Sequence, residues 1–500
     1  MSSTLDSASR GSRTAKAASL LVLTKICAKG IDFVALLIFA RYLGPAEFGV
    51  VAVAMTVVLI LESVFELPSA QALVRLSELK QEHYDTAFTL GLLRGICIAL
   101  IFSAVSYPLS KFNSDARLIP LLCVLGFAPA FRGMVSPRMV DYVRNIDFRR
   151  DLAIEIIGKV GAVAVAVPVV LLTRSYWALA INVLLVPMIM LITSYVFAPY
   201  RPRISFAAWK DFSSIIGWNS VSQLMAAVNW QVDRLMLGRY SSKSEYGRFA
   251  IASDLAGLPY QILVVPMVRP FLAAFATLAG DVKELLRTYL KGSGAIVTIA
   301  APILGCAALF SDPLVNFVLG EKWSGASEML RWLAIAGIAP LAITPFNAFC
   351  IASGNPRLPA LSVLLEFTVK VPATIVAVVH WGLSGVLFVR VIVGVVATLL
   401  TMVLNVKYFG IRISQQLGVY IRPGVSVISM AVVGYSGHYV LLDPLWRFRD
   451  AFSVLVLMPL TLLSYVIVLV IVWRIQGSPD GIEAAVSQRC ADLRRRILKV

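Results

Sequence analysis

The segment Arg41-Tyr42-Leu43-Gly44-Pro45-Ala46-Glu47-Phe48-Gly49, followed by Ala52 and Ala54, returns as Arg239-Tyr240-Ser241-Ser242-Lys243-Ser244-Glu245-Tyr246-Gly247 with Ala250 and Ala252. Basic, aromatic, acidic, glycine and alanine positions keep their spacing, so one structural unit is used twice. Each copy stands between two apolar stretches. A second echo sets Glu155, Lys159, Val160, Ala162 and Ala166 beside Glu366, Lys370, Val371, Ala373 and Ala377. Two consecutive units of six helices account for both echoes. Because six is even, the units cross a membrane in the same sense, a parallel repeat of the kind that commonly holds its substrate between the halves.

The composition demands that membrane. Of 500 residues, 59% are hydrophobic and 15% charged, and the mean hydropathy is +0.82. A soluble globular chain does not carry such an excess, and a disordered one carries the opposite. The apolar runs are about twice the length of barrel strands, which excludes an outer-membrane barrel. A spanning helix takes roughly 20 residues, and the runs place fourteen spans. They fall at Ala18–Ala40, Phe48–Phe65, Thr86–Tyr107, Leu118–Val135, Leu152–Leu172, Tyr176–Phe197 and Phe212–Leu237. The remainder are Tyr246–Val268, Tyr289–Phe310, Met329–Ile351, Leu358–Val379, Leu383–Val406, Val419–Leu441 and Ala451–Trp473. The fold class expected is an all-α polytopic membrane protein of about 14 transmembrane helices. It divides into a six-helix lobe at 1–200, a second six-helix lobe at 201–408, two extra helices at 409–475 and a basic tail at 476–500.

The net charge of +17 would suggest nucleic acid in a soluble protein; here it sets orientation, and no nucleic-acid partner is expected. With a cytoplasmic N-terminus, the even-numbered loops and the tails hold about 25 Lys and Arg against about 10 opposite, the sense of the positive-inside rule. Both termini are therefore expected in the cytoplasm, and the polar N-terminal segment shows no cleaved signal. The basic tail, with Arg489, Arg494, Arg495, Arg496 and Lys499, reads as a topology signal and a contact for anionic lipid. The six Cys residues lack CxxC spacing and His83, His380 and His438 lack ligand spacing, so neither disulfide nor metal site is expected.

Charges inside spans are costly, and each marks a site or a structural pair. Lys25, Lys29 and Asp32 share one face of the first span; Asn219, Gln223, Trp230 and Asp233 share one face of the seventh, with Arg234 beside it. Glu62 and Glu66, Arg94, Arg132 and Asp254 add charge to the second, third, fourth and eighth spans. Each has a plain alternative. Lys25 and Lys29 can snorkel toward headgroups, Glu155 with Lys159 and Glu366 with Lys370 form self-neutralising i, i+4 pairs, and Asp233 can pair with Arg234. Several cations in one polar cavity suit an anionic head group bearing hydroxyls: phosphate meets Lys and Arg, while Asn, Gln and Trp suit sugars. Lys25, Lys29, Asp32, Arg94, Arg132, Asn219, Gln223, Trp230 and Arg234 are the candidate substrate-binding residues, and a lipid-linked glycan has the matching chemistry.

The stretch Ala40–Gly49 resembles the ARxLGPxxFG signature of polysaccharide transporters in the multidrug/oligosaccharidyl-lipid/polysaccharide exporter superfamily. Asn229 through Arg239 resembles that family's N-x-x-x-D-x-x-x-x-G-R segment, and Leu258-Pro259-Tyr260-Gln261 its L-P-x-Q. The likeness extends by pattern over all fourteen spans and is nearest to the Wzx-like lipid-linked oligosaccharide flippases. Ser241-Ser242 departs from it, standing where the first copy has Leu43-Gly44.

The resemblance implies two lobes that open alternately to either side of the inner membrane and move an undecaprenyl-diphosphate-linked oligosaccharide for exopolysaccharide, capsule or O-antigen synthesis. It further implies a lipid-tail groove at the last two helices, ion coupling through Asp32, Asp233 or Asp254, and a polysaccharide polymerase complex as partner. No catalysis and no cofactor are expected, since no G-x-x-x-x-G-K-[ST], H-E-x-x-H or G-x-S-x-G motif occurs. The rivals are a drug or metabolite antiporter on the same scaffold and a membrane polymerase or ligase. On this reading Lys29→Ala, Asp32→Ala or Asp233→Ala lowers export at normal protein level, whereas Glu155→Ala lowers protein level by leaving Lys159 unpaired.

Overall fold

A computed structural model describes residues 26–65, 69–76, 78–145, 147–278, 280–355, 357–441, 448–479, 481–484 and 487–488, without the side chains of 70, 71, 75, 213–225, 269, 273, 276 and 438–441. Among the described residues there is no strand. Apolar segments leave the backbone no water to bond with, and a helix satisfies its own N–H and C=O groups. Helix α1 covers 26–42. It is followed by α2 (Pro45–Val64), α3 (Ser69–Arg75), α4 (Gln81–Asn113), α5 (Leu118–Leu125), α6 (Phe127–Gly133), α7 (Val140–Arg144), α8 (Arg149–Thr173), α9 (Trp177–Phe197) and α10 (Trp209–Tyr240). Next come α11 (Lys243–Pro259), α12 (Val265–Thr277), α13 (Val282–Leu309), α14 (Ser311–Val318), α15 (Ala326–Ile338) and α16 (Phe346–Ala352). The chain closes with α17 (Arg357–Phe409), α18 (Ile413–Leu441), α19 (Arg449–Phe452) and α20 (Met458–Ile475).

Ten helical stretches among the described residues are long and apolar enough to cross a membrane, eleven if the bent pair Leu118–Gly133 and Pro137–Arg144 is one span. The chain is a multi-pass membrane protein. Helix α17, with 53 residues, would measure about 80 Å if straight, far more than a bilayer. It turns at Gly382, whose φ of 59° and ψ of −138° lie outside the helical range, between the eleventh and twelfth spans read from sequence. The described part of α1 and the polar α10 are not among the ten, so length and composition do not by themselves establish the count of fourteen. Gly382→Ala meets no neighbouring atom, so its cost is purely conformational, about 1–3 kcal/mol. A lower unfolding temperature in detergent is the expected result. Gly382→Asn should not restore it, because this ψ is not that of the left-handed helix Asn tolerates.

By contacts the chain divides into Met1–Gly247 and Arg248–Val500. The contact boundary lies later than the lobe boundary expected at 200/201, because α10 packs on α2. Within the first unit α8 lies along α9. The buried residues of α8 are Ile154, Gly158, Ala162, Ala166 and Val170, one every fourth position and mostly small. Small residues let helices approach where no hydrophobic drive separates helix from lipid. In the second unit α13 packs on α15 and α18, and α18 on α20.

The repeated turn explains its own conservation between copies. Gly44 caps α2, and its N–H donates to Glu47 Oε2 at 3.0 Å. In the second copy Ser242 N donates to Glu245 Oε2 at 3.0 Å, and Glu245 N to Ser242 Oγ at 3.2 Å. Both glutamates thus reach back to the backbone N–H of their cap residue; Ser242 returns the bond and completes a capping box, whereas Gly44, with no side chain, makes only the glutamate half. The substitution of Ser242 for Gly44 keeps a good cap residue. Within the first unit the two turns also meet: a Cβ on Gly49 would strike the Lys243 carbonyl, and one on Gly247 the Pro45 carbonyl. Lys243 and Pro45 are themselves equivalent positions, so the contact is symmetric. Thr56 Oγ1 lies 2.7 Å from the hydroxyl of the fully buried Tyr246 beside it.

Candidate functional site

Among the described residues of the first unit, polar side chains in the spans gather in three places. The first joins α1 to α8. Lys159 Nζ donates to Asp32 Oδ2 at 2.7 Å and to the Ala28 carbonyl at 3.2 Å, and lies 3.5 Å from Glu155 Oε1. Lys29 stands 3.7 Å from the same Asp32 oxygen. Two cations and two carboxylates therefore balance. Asp32 and Lys159 line an open pocket of about 140 Å³, together with Asn182, Phe39, Leu179 and Val186. The helical spacing of Lys29 and Asp32 placed them on one face as read from sequence. The Glu155–Lys159 pair also forms, yet Lys159 sits closer to Asp32. The expectation that Glu155→Ala leaves Lys159 unpaired is therefore corrected: Asp32 remains its partner.

The second group joins α2, α4 and α6. Arg132 Nη1 donates to Glu62 Oε1 at 2.6 Å, and Arg94 Nη2 donates to the Glu62 main-chain carbonyl at 2.9 Å. Two guanidiniums thus meet at one residue, Arg132 on the Glu62 carboxylate and Arg94 on its main-chain carbonyl. The Arg132 side chain is 47% exposed and that of Glu62 13%, so the cation faces open space. Sequence reading had each residue as an isolated intramembrane charge; nothing in helical periodicity pairs positions on different helices.

The third group lies on α10, where Asn229, Gln231 and Asp233 are buried and Trp230 is exposed. Arg234, beside Asp233, is half-buried. Lys25 and Glu66 lie outside the described residues, as do the side chains of Asn219 and Gln223. Asp254 is exposed on α11 and belongs to the second unit. The structure thus brings Lys29 to Asp32 and Arg94 to Arg132, and adds Lys159, Glu155, Glu62 and Asn182.

The ends of these helices are fixed by polar contacts outside the cavity. The buried Asp85 accepts from Tyr200 Oη at 2.6 Å and from Gln81 Nε2 at 2.8 Å. Burial, and then the bond to Asp85, push the Tyr200 hydroxyl above its ordinary pKa. Arg144 Nη1 donates to the carbonyls of Leu73 and Leu76, closing the end of α3. In the 114–117 turn burial would raise Asp115, but the Arg117 hydrogen bonds and charge outweigh it and hold that carboxyl below its usual range.

The long apolar helices among the described residues define a multi-pass helical membrane protein. The model of the family described as "Polysaccharide biosynthesis protein" matches residues 38–328, more than half the chain, and the protein belongs to that family. It is 25% identical over 337 residues to the succinoglycan biosynthesis transport protein ExoT of Rhizobium meliloti (strain 1021), covering 66% of each chain. It is 20% identical to the lipopolysaccharide biosynthesis protein WzxC of Escherichia coli (strain K12), over 76% of this chain and 78% of that one. Among solved structures it is similar in fold to the lipid II flippase MurJ in an inward closed conformation, with a TM-score of 0.73 at 15% identity, covering 91% of this chain and 99% of the other. An inward-facing multidrug resistance transporter of the MATE family aligns with a TM-score of 0.64 at 15% identity, over 78% and 98%.

Proposed function

We propose that the chain is a flippase that carries an undecaprenyl-diphosphate-linked oligosaccharide across the bacterial inner membrane for exopolysaccharide, capsule or O-antigen synthesis. Both termini are then cytoplasmic. The observation that carries this reading is the meeting of Arg94 and Arg132 at Glu62, one on its main-chain carbonyl and the other on its carboxylate, which brings two guanidiniums from neighbouring helices together as a diphosphate requires. Membership of the polysaccharide biosynthesis family supports the glycan class.

In this scheme residues 1–200 and 201–408 are the moving lobes, 409–475 hold the lipid tail and 476–500 form the basic tail. Arg94 and Arg132 bind the diphosphate. Lys25, Lys29, Asn219, Gln223, Trp230 and Arg234 line the glycan path, Trp230 offering a ring face to sugars. Asp32, Asp233 and Asp254 are the candidates for ion coupling; Asp32 can respond to a cation because its salt bridge to Lys159 is partly exposed. Alternation needs the substrate to bind the two lobe arrangements with different affinity. A polysaccharide polymerase complex is the partner that would receive the carried unit. The antiporter alternative shares the fold, but a hydrophobic cation would meet guanidiniums at the second cluster.

The test is the sidedness of undecaprenyl-diphosphate-linked oligosaccharide in cells lacking the gene, with and without restoration. Accumulation on the cytoplasmic face, reversed by restoration, is the expected result; unchanged lipid-linked glycan and surface polymer would reject the flippase. Arg132→Gln removes a charged hydrogen bond worth about 1.5–3 kcal/mol, so export should fall roughly tenfold to hundredfold. Protein level should hold, because pairs this exposed contribute only about 0–1 kcal/mol. Arg132→Lys should keep part of the export. Immunoblot and surface polysaccharide, measured together, separate the two effects.

A further inference from the structure

After α20 the chain does not run straight out. Gly477 and Ser478 take positive φ values of 81° and 54°, and Ser478 N donates to the Trp473 carbonyl at 3.0 Å. Trp473 Nε1 then holds the Pro479 carbonyl at 3.0 Å. The returning segment carries Glu483 onto α18, where Oε1 accepts from Arg422 Nη1 at 2.9 Å; the Glu483 side chain is 9% exposed and that of Arg422 23%. Both members of this ion pair line an open pocket of about 210 Å³, lined also by Lys291 and Thr298 of α13 and by Gln415 of α18. Gln415 Oε1 accepts from Arg412 N at 3.1 Å, so the amide nitrogen is its free-turning donor end.

We infer that this pocket is a site for a phosphate-bearing lipid headgroup, and that the Glu483 carboxylate occupies Arg422 in its place when no such lipid is bound. The chemistry is that of an oxyanion site. Residues bearing a guanidinium, an ammonium and an amide line one pocket, and one guanidinium nitrogen bonds Glu483, so the two-pronged geometry that suits phosphate is not used up by the carboxylate. Basic pockets between membrane helices near their ends bind anionic headgroups. Arg422 lies about 14 Å along α18 from its start, within reach of the headgroup region on the side where the tail emerges. The tail is thus an internal competitor, released when phosphate displaces Glu483. The inference is independent of which glycan the protein carries.

The experiment uses the full-length protein purified in neutral detergent, with limited trypsin cleavage of its Arg-rich tail and thermal unfolding as readouts. Phosphatidylglycerol micelles should speed tail cleavage severalfold and raise the unfolding temperature. Phosphatidylcholine should do neither. Glu483→Gln should respond at about tenfold lower phosphatidylglycerol. The double variant Arg422→Gln/Glu483→Gln, which leaves no unpaired carboxylate, should not respond, and Lys291→Gln should respond more weakly. A response to inorganic phosphate without one to phosphatidylglycerol would overturn the lipid assignment. Equal responses from wild type and the double variant would overturn the site.

Discussion

Lys159→Met should leave a small fraction of the wild-type protein in the membrane and lower its unfolding temperature in detergent. The ammonium holds Asp32 at 2.7 Å, the Ala28 carbonyl at 3.2 Å and Glu155 at 3.5 Å. Its removal strands two carboxylates at membrane depth, with Lys29 as the remaining cation at 3.7 Å from Asp32. Breaking a fully buried pair costs about 3–5 kcal/mol; Asp32 is 43% exposed, which brings the expected cost to roughly 2–3 kcal/mol. The triple variant Lys159→Met/Asp32→Asn/Glu155→Gln should recover abundance, since it removes the stranded charges with their partner. If that triple variant folds but does not export, the cluster serves transport. Full abundance of the single variant would remove the cluster from the fold's energetics. Glu155→Gln, by contrast, leaves the shorter Lys159–Asp32 bond in place and should be mild.

Gly49→Ala should be the second large effect. The added Cβ would overlap the Lys243 carbonyl, a backbone atom that cannot rotate aside as a side-chain end can. Overpacking of this kind costs about 1–3 kcal/mol, seen as a lower unfolding temperature of the purified protein. Gly247→Ala should cost a similar amount, because its Cβ meets the Pro45 carbonyl in the symmetric position. The double variant should cost less than the two together, since separating the turns once relieves both collisions. Gly30→Ala is the control. Nothing lies within 4 Å of its Cβ position, and alanine in a helix is favoured over glycine by about 0.5–1 kcal/mol. Equal melting shifts for Gly30→Ala and Gly49→Ala would refute the contact between the turns.

These two sites differ in how far the sequence exposes them. The repeated turn is visible as a repeat, whereas the capping role of Glu47 and Glu245 came only with the structure. That the two turns meet face to face is invisible, because a repeat records shared local structure and not mutual contact. The charged stripe Lys29–Asp32 was legible from the helical period, as was the i, i+4 pair Glu155–Lys159. Their union was not, and it changes which variant is expected to be destabilising. Glu62, Arg94 and Arg132 were each conspicuous as intramembrane charge, and only the packing of α2, α4 and α6 showed both guanidiniums meeting at Glu62, one on its carboxylate and one on its main-chain carbonyl.

By itself the sequence determined that this is a polytopic helical membrane protein, that it contains a repeated unit and that polar residues collect in particular spans. The reason is that bilayer solvation acts on every residue locally: a run of apolar side chains must be helical to bond its own backbone, and each charge within it stands out against a high cost. Tertiary structure alone decided the partners. Asp32 chose Lys159 over Lys29, Arg132 met Glu62, α10 joined the first unit, and Glu483 turned back onto Arg422. Such pairings depend on distances between helices far apart in the chain, set by packing of small residues and by the direction of each turn, and no periodicity along one helix contains them.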